Sequence, residues 1–205
     1  EAEVNEEIRS QQLKSIWNRF GLYIIAVALF IIFAVGGYEV NNYWNSKVSE
    51  NESNLFDSAI LMIEEGNEEG GYNKLIELSE GKTGYKGLAL FRLSSESYNK
   101  DNFIQAIEFL KRASEDSSLT KKLREFAKLK AGLILVDHGT VDDVKNLLND
   151  ITVKNGPFAF HAKEIIALSL LNNNMDLEAK LIFEDIASDV AAPPVLARRA
   201  EIFLK

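Results

Sequence analysis

Cysteine is absent from the sequence. That excludes a disulfide-stapled scaffold, a thiolate zinc site, a thiol nucleophile and a lipidated lipoprotein cysteine. Proline is almost absent: none precedes Pro157, and only Pro193 and Pro194 follow it, so helices run unbroken as far as Gly156. Histidine occurs twice. His138 and His161 lie 23 positions apart with no His or Cys partner at i+4, so both read as structural residues rather than metal ligands. Positive charge is scarce: 23 Lys+Arg face 31 Asp+Glu, a net charge of -8, which argues against non-specific nucleic-acid binding. There is no nucleophile elbow, Walker A loop or dinucleotide fingerprint. Gly81-Lys82-Thr83-Gly84 holds a GKT fragment without the upstream glycine or preceding strand, and reads as a turn. Glu64-Glu65 and Glu68-Glu69 read as solvated helix-end charge. No catalytic residue, metal, cofactor or small-molecule substrate is expected, and so no enzyme.

What the chain does have is a long apolar run. Residues 20–38 read FGLYIIAVALFIIFAVGGY without a charge. At about 1.5 Å per residue this helix is roughly 28 Å long, close to a bilayer's hydrocarbon thickness. Trp17 and Tyr23 stand at one end and Tyr38, Tyr43 and Trp44 at the other, as interfacial belts do. Arg9, Lys14 and Arg19 precede the run, and the next basic residue after it is Lys47. This bias predicts a cytoplasmic N-terminus and a C-terminal domain on the outer side. The rivals are a cleaved signal peptide, disfavoured by the long acidic leader, and a buried core helix. Small residues in the run (Ala26, Ala28, Ala34, Gly36, Gly37) permit close helix contact in lipid, although anchorage alone is the simpler reading. The expected organisation is a cytoplasmic segment 1–19, a transmembrane helix 20–38, a juxtamembrane linker or helix extension 39–54 and a helical repeat domain 55–205.

Residues 55–205 carry helical periodicity and almost no strand alternation, which predicts an all-α fold. Three segments align on Ala106, Val144 and Ala179, separated by 38 and 35 residues. In that register Leu110, Leu148 and Phe183 coincide, as do Ala113, Ile151 and Ile186. Upstream, Leu93, Ala131 and Ile166 coincide, next to the small residues Ser94, Gly132 and Ala167. Turns fall at Asp101, Gly139 and Asn174, with Asp137-His138-Gly139 read as a turn. Two antiparallel helices approach closely only where side chains are small, and one such pair cannot bury its own face, so pairs must stack.

This register resembles the tetratricopeptide repeat (TPR), in degenerate form. Three repeats cover about 87–192, a weaker pair precedes them at about 52–80, and 195–205 forms a terminal helix. The whole arrangement is similar to the YfgM-like ancillary subunits of the bacterial Sec translocon. The residues that carry this are Trp17-Asn18-Arg19-Phe20-Gly21, Tyr38 to Trp44, Tyr85-Lys86-Gly87-Leu88-Ala89-Leu90, Asp176-Leu177-Glu178-Ala179-Lys180, Pro193-Pro194 and Arg198-Arg199-Ala200. The resemblance implies a single-pass protein of the bacterial inner membrane with a periplasmic TPR-like α-solenoid. Its implied partners are translocon subunits, periplasmic chaperones or prolyl isomerases, and the lipid bilayer.

In TPR folds the first helix of each pair lines the binding face. Carried onto this chain, the lining is Leu88, Phe91, Ser95 and Tyr98, then Phe126, Leu129, Leu133 and Val136, then His161, Glu164, Leu168 and Leu171. Such a groove is mostly apolar and lacks the Lys/Asn array of a carboxylate clamp. Either it accepts an apolar partner segment, or the helix at 195–205 covers it as a cap. A scaffold for another envelope or cell-division assembly is the alternative function.

Overall fold

The computed structural model describes residues 30–31, 42–153 and 156–205. The chain divides into two compact units, Glu1–Glu50 and Asn51–Lys205. In the first, Phe30, Ile31 and residues 42–50 are helical. There the Lys47 Nζ lies 2.8 Å from the Glu50 carboxylate, which holds that carboxyl below its ordinary pKa. Among the described residues no helix is long and apolar enough to cross a membrane. The expected transmembrane segment 20–38 lies outside the described residues apart from Phe30 and Ile31.

The second unit is helical throughout its described regular structure. It comprises α1 (51–64), α2 (Glu68–Leu78), α3 (Gly84–Asn99), α4 (Phe103–Glu115), α5 (Lys121–His138), α6 (Val141–Thr152), α7 (Ala159–Asn172), α8 (Asp176–Ser188) and α9 (Pro194–Phe203). Consecutive helices pack against one another, α5 also packs on α7, and α9 packs mainly on α8. The sequence sets most helix starts. Asn67, Thr83, Asn102, Thr120 and Thr140 each accept a first-turn backbone N–H through the side chain, satisfying donors that no intrahelical carbonyl reaches.

Helix ends are equally local. After α1, α3 and α7 the chain turns through a left-handed residue: Gly66 (φ 88°), Asp101 (φ 58°) and Asn174 (φ 58°). Around Asp101, the N–H of Asn102 donates to Ser97 O at 2.9 Å and that of Asp101 to Tyr98 O at 3.0 Å. Around Asn174 the same pair recurs, Met175 to Leu170 and Asn174 to Leu171. This double bond pattern is the Schellman termination. The third turn differs. Helix α5 runs through His138, so only Gly139 and Thr140 remain for the turn expected over 137–139, and α6 starts with a reciprocal Thr140–Asp143 capping box.

The aligned positions are the core. Ala106, Val144 and Ala179 are fully buried, as are Leu110, Leu148, Ala113 and Ile186. Gly132 is small because α6 and α7 both press on it: a methyl group there would sit 2.8 Å from Leu148 Cδ1 and 3.4 Å from Ile165 Cγ2. Two apolar clusters result. One holds Leu75, Leu90, Leu93, Phe109 and Ala113; the other runs from Ile107 and Leu110 through α5–α8 to Leu196 and Ala200 in α9. Helix α4 feeds both, and Phe91 packs against both.

Candidate functional site

The site is the face formed by α3, α5 and α7, the first helices of the three pairs. Their small residues turn toward the second helices, which leaves larger side chains on the other side. Leu88, Phe126 and Leu133 are 42%, 42% and 51% exposed, and Tyr98 is exposed beside them. Exposed apolar side chains also stand on the second helices, among them Ile104, Leu177 and Leu181, so cavities rather than exposure distinguish this face.

Two cavities open on this face. The first, of about 280 Å³, lies between α3 and α5 and is lined by Ser94, Ser95, Tyr98, Asn99, Lys130, Leu133, Ile134, Asp137 and His138. The second, of about 430 Å³, lies between α5, α7 and α9. Its lining is Phe126, Leu129, Lys130, Leu133, Phe158, His161, Glu164, Ile165, Leu168, Arg199 and Phe203. Lys130 and Leu133 border both.

Aromatic rings connect the repeats across this face. Phe91 and Phe126 have centroids 6.0 Å apart, Phe126 and Phe158 6.4 Å, and Phe158 and His161 6.1 Å in an edge-on arrangement. Such tilted contacts suit the ring quadrupoles. At the far edge Tyr98 meets Phe103 at 5.3 Å, and Phe103 stacks on His138 at 3.6 Å. His138 thus lies flat on a neighbouring ring at a helix end.

The projected lining is met unevenly. Ser95, Tyr98 and Leu133 surround the first cavity, and Phe126, Leu129, Leu133, His161, Glu164 and Leu168 surround the second. Phe91 joins through its ring contact. Leu88 is exposed but borders neither cavity, and Val136 and Leu171 are half-buried against the core. On α5 the projected Phe126, Leu129 and Leu133 all line a cavity and Val136 does not, while Lys130, Ile134, Asp137 and His138 join them. The face is therefore less uniformly apolar than the sequence register implied.

Phe158, Lys130, Asp137 and Arg199 were not on the projected face. Phe158 had a signal: Phe91, Phe126 and Phe158 recur once per repeat, 35 and 32 residues apart.

The terminal helix does not fill the face. Only Arg199 and Phe203 of α9 reach the second cavity. Arg199 Nη2 donates to Glu164 Oε2 at 2.6 Å, and Phe203 stacks on Phe183 at 4.6 Å. The first cavity and the exposed Leu133 stay uncovered by it. In the GKT loop the amides of Gly81, Lys82 and Thr83 are already engaged, that of Gly81 by the Leu78 carbonyl. The Glu52 carboxylate of α1 accepts from the N–H groups of Lys82 (3.0 Å) and Thr83 (3.2 Å) and from the Thr83 hydroxyl. Among the described residues no three His, Asp or Glu side chains converge as a metal site.

Stacked helix pairs with an open, partly apolar face define a helical-repeat interaction domain. A family model described as a tetratricopeptide repeat-like domain matches residues 14–181, and the chain belongs to that family. No curated protein and no solved structure matches it.

Proposed function

We propose that this chain is a non-enzymatic, single-pass scaffold of the bacterial inner membrane, of the YfgM-like kind. Its N-terminus is cytoplasmic and its TPR-like domain periplasmic. It works at the Sec export channel, holding translocon subunits, periplasmic chaperones or prolyl isomerases on the α3–α5–α7 face. One observation carries the reading: the open face of the first helices, which bears Phe126 and Leu133 and two cavities lined largely by their side chains. Two features support the membrane part. The uncharged run at 20–38 has a bilayer's length, and the family match beginning at residue 14 takes that run in. Tethering raises a partner's effective concentration to about the millimolar range, so a modest intrinsic affinity suffices.

The test is photo-crosslinking in bacteria from positions 126 and 133, with position 104 on α4 as control. Adducts with translocon subunits or periplasmic folding factors, specific to 126 and 133, are the expected result. Adducts confined to cell-division or other envelope proteins overturn the export assignment in favour of a different scaffold. Protection of the C-terminal domain from protease in spheroplasts overturns the topology.

A further inference from the structure

Cations are outnumbered in this chain, yet α5 is rich in them. Within residues 117–130 five basic residues stand against one acidic, Glu125, although the net charge of the chain is -8. Three of the five, Lys121, Lys122 and Arg124, fall in the first four residues of α5, and no acidic residue joins them there. Cations at that end oppose the helix dipole, so folding gains nothing from them. Of the acidic side chains nearest in sequence, that of Glu125 is 12% exposed and Asp116 turns its Oδ2 inward, which leaves Glu115 at the surface. Large apolar side chains stand exposed among the cations. Lys122, Leu123, Phe126 and Lys130 share one face of α5, and Lys130 Nζ lies 5.7 Å from the Phe126 ring centroid. Helix α9, which shares the second cavity with α5, has the same character. Val195, Ile202 and Phe203 are exposed on it, and Arg198, Arg199 and Lys205 stand against Glu201. The one carboxylate at that cavity, Glu164, is buried and held by Arg199. Exposed apolar groups on α8 keep other company: Leu177 and Leu181 share that helix with Asp176, Glu178, Glu184, Asp185 and a single cation, Lys180.

Resting on the membrane part of the scaffold reading, we infer that α5 and α9 form a second contact with the bilayer, a surface that docks on anionic lipid headgroups. Leu123, Phe126, Val195 and Ile202 enter the boundary between headgroups and acyl chains, and the cations of α5 reach the lipid phosphates. A basic amphipathic face suits this medium, because apolar bodies and cationic tips both gain where hydrocarbon meets charged headgroups. A lipid surface is also fluid, so it meets cations on two helices without a matched spacing. Each lysine or arginine near an anionic leaflet raises the docked population about fivefold. A chain already held at the bilayer meets the lipid at high effective concentration, so a weak contact suffices. Asp137 lies at the other end of α5, beside the first cavity, which confines the contact to the N-terminal half of that helix. Docking covers Phe126, so the bilayer and a protein partner compete for the second cavity.

The absence of cysteine permits a direct test on the full chain. Leu123→Cys and Ile202→Cys each carry one fluorophore, with Ile104→Cys and Leu181→Cys as controls at exposed apolar sites of α4 and α8. Each labelled chain is reconstituted into phosphatidylcholine vesicles, with or without an equal part of phosphatidylglycerol, and quenching by lipids brominated on the acyl chain is read. Quenching is expected at 123 and 202 in the anionic vesicles alone, absent at 104 and 181, and lost in about 0.5 M salt. In Lys122→Glu/Lys130→Glu the ratio of docked to undocked label is expected to fall by about tenfold or more. Equal quenching in neutral vesicles, quenching at all four sites, or none at 123 and 202 in chains that float with the vesicles overturns the inference and leaves the anchored scaffold standing. Unquenched labels together with crosslinks from position 122 to an acidic protein assign the patch to that protein instead. Chains that float with neither vesicle overturn the membrane reading itself, and this contact with it.

Discussion

Glu164 is 8% exposed, and its carboxylate accepts a 2.6 Å hydrogen bond from Arg199, 35 residues later in the chain. The pair ties α9 to α7 at the rim of the second cavity. Removing Arg199 leaves a buried charge without a partner, which is more costly than removing both ends. Arg199 is itself half exposed, so the cost is well below that of a fully buried pair. Arg199→Ala is expected to destabilise the domain by about 1–2 kcal/mol in urea unfolding, and Glu164→Leu/Arg199→Leu by less. A double variant weaker than the single one contradicts this account.

Gly71 lies close against α1 at both a side chain and the backbone: a methyl group there would sit 2.5 Å from Ile63 Cγ1 and 2.6 Å from the Ala59 carbonyl oxygen. Gly71→Ala is expected to cost about 1–3 kcal/mol despite the better helix propensity of alanine. Gly84→Ala, where nothing lies within 4 Å, serves as the control. Matching unfolding midpoints for the two variants would refute the close approach of α1 and α2.

Asp101 and Asn174 hold left-handed conformations that glycine adopts without strain. Asp101→Gly and Asn174→Gly are each expected to raise stability, by about 0.5–1 kcal/mol. Gly66→Ala, at the corresponding turn after α1, goes the other way. Thermal unfolding of the three variants checks both signs.

Asp143 completes the α6 capping box. The hydrogen bonds from the Thr140 side chain and backbone hold its carboxyl below the ordinary range. A carboxyl depressed on folding contributes stability that is full above its unfolded pKa and is lost as pH falls through the lower, folded one. The difference in stability between wild type and Asp143→Ala is therefore expected to be largest at neutral pH and to shrink toward pH 3. A difference independent of pH would show that the charge plays no part in the cap.

The repeat register was legible in the sequence because helix period and small-residue spacing are local quantities. Ala106, Val144 and Ala179 align by eye and are all fully buried. The entry of Lys130 and Asp137 into the α5 lining was not legible, nor was the run of α5 through His138, where that ring stacks on Phe103 of the preceding helix. No periodicity within one helix encodes a contact with another. The same holds for Glu52, which closes the 81–83 loop from 30 residues away, and for Asn172, which donates to the Val136 carbonyl across a repeat boundary. The apolar half of the face could be projected from residue type alone. The charges could not, since a lysine or aspartate on a helix reads as solvated until its neighbours are known.

The apolar interior is divided in two, with α4 contributing to both parts and Phe91 touching each. A lesion in α1 or α2 touches only the first part directly, whereas one at Phe91, in α4 or in α5 reaches both. The two parts are joined by two helices rather than one, since α5 places Ala127 in the first and Leu129, Ala131 and Leu135 in the second, and Phe91 bridges them from α3.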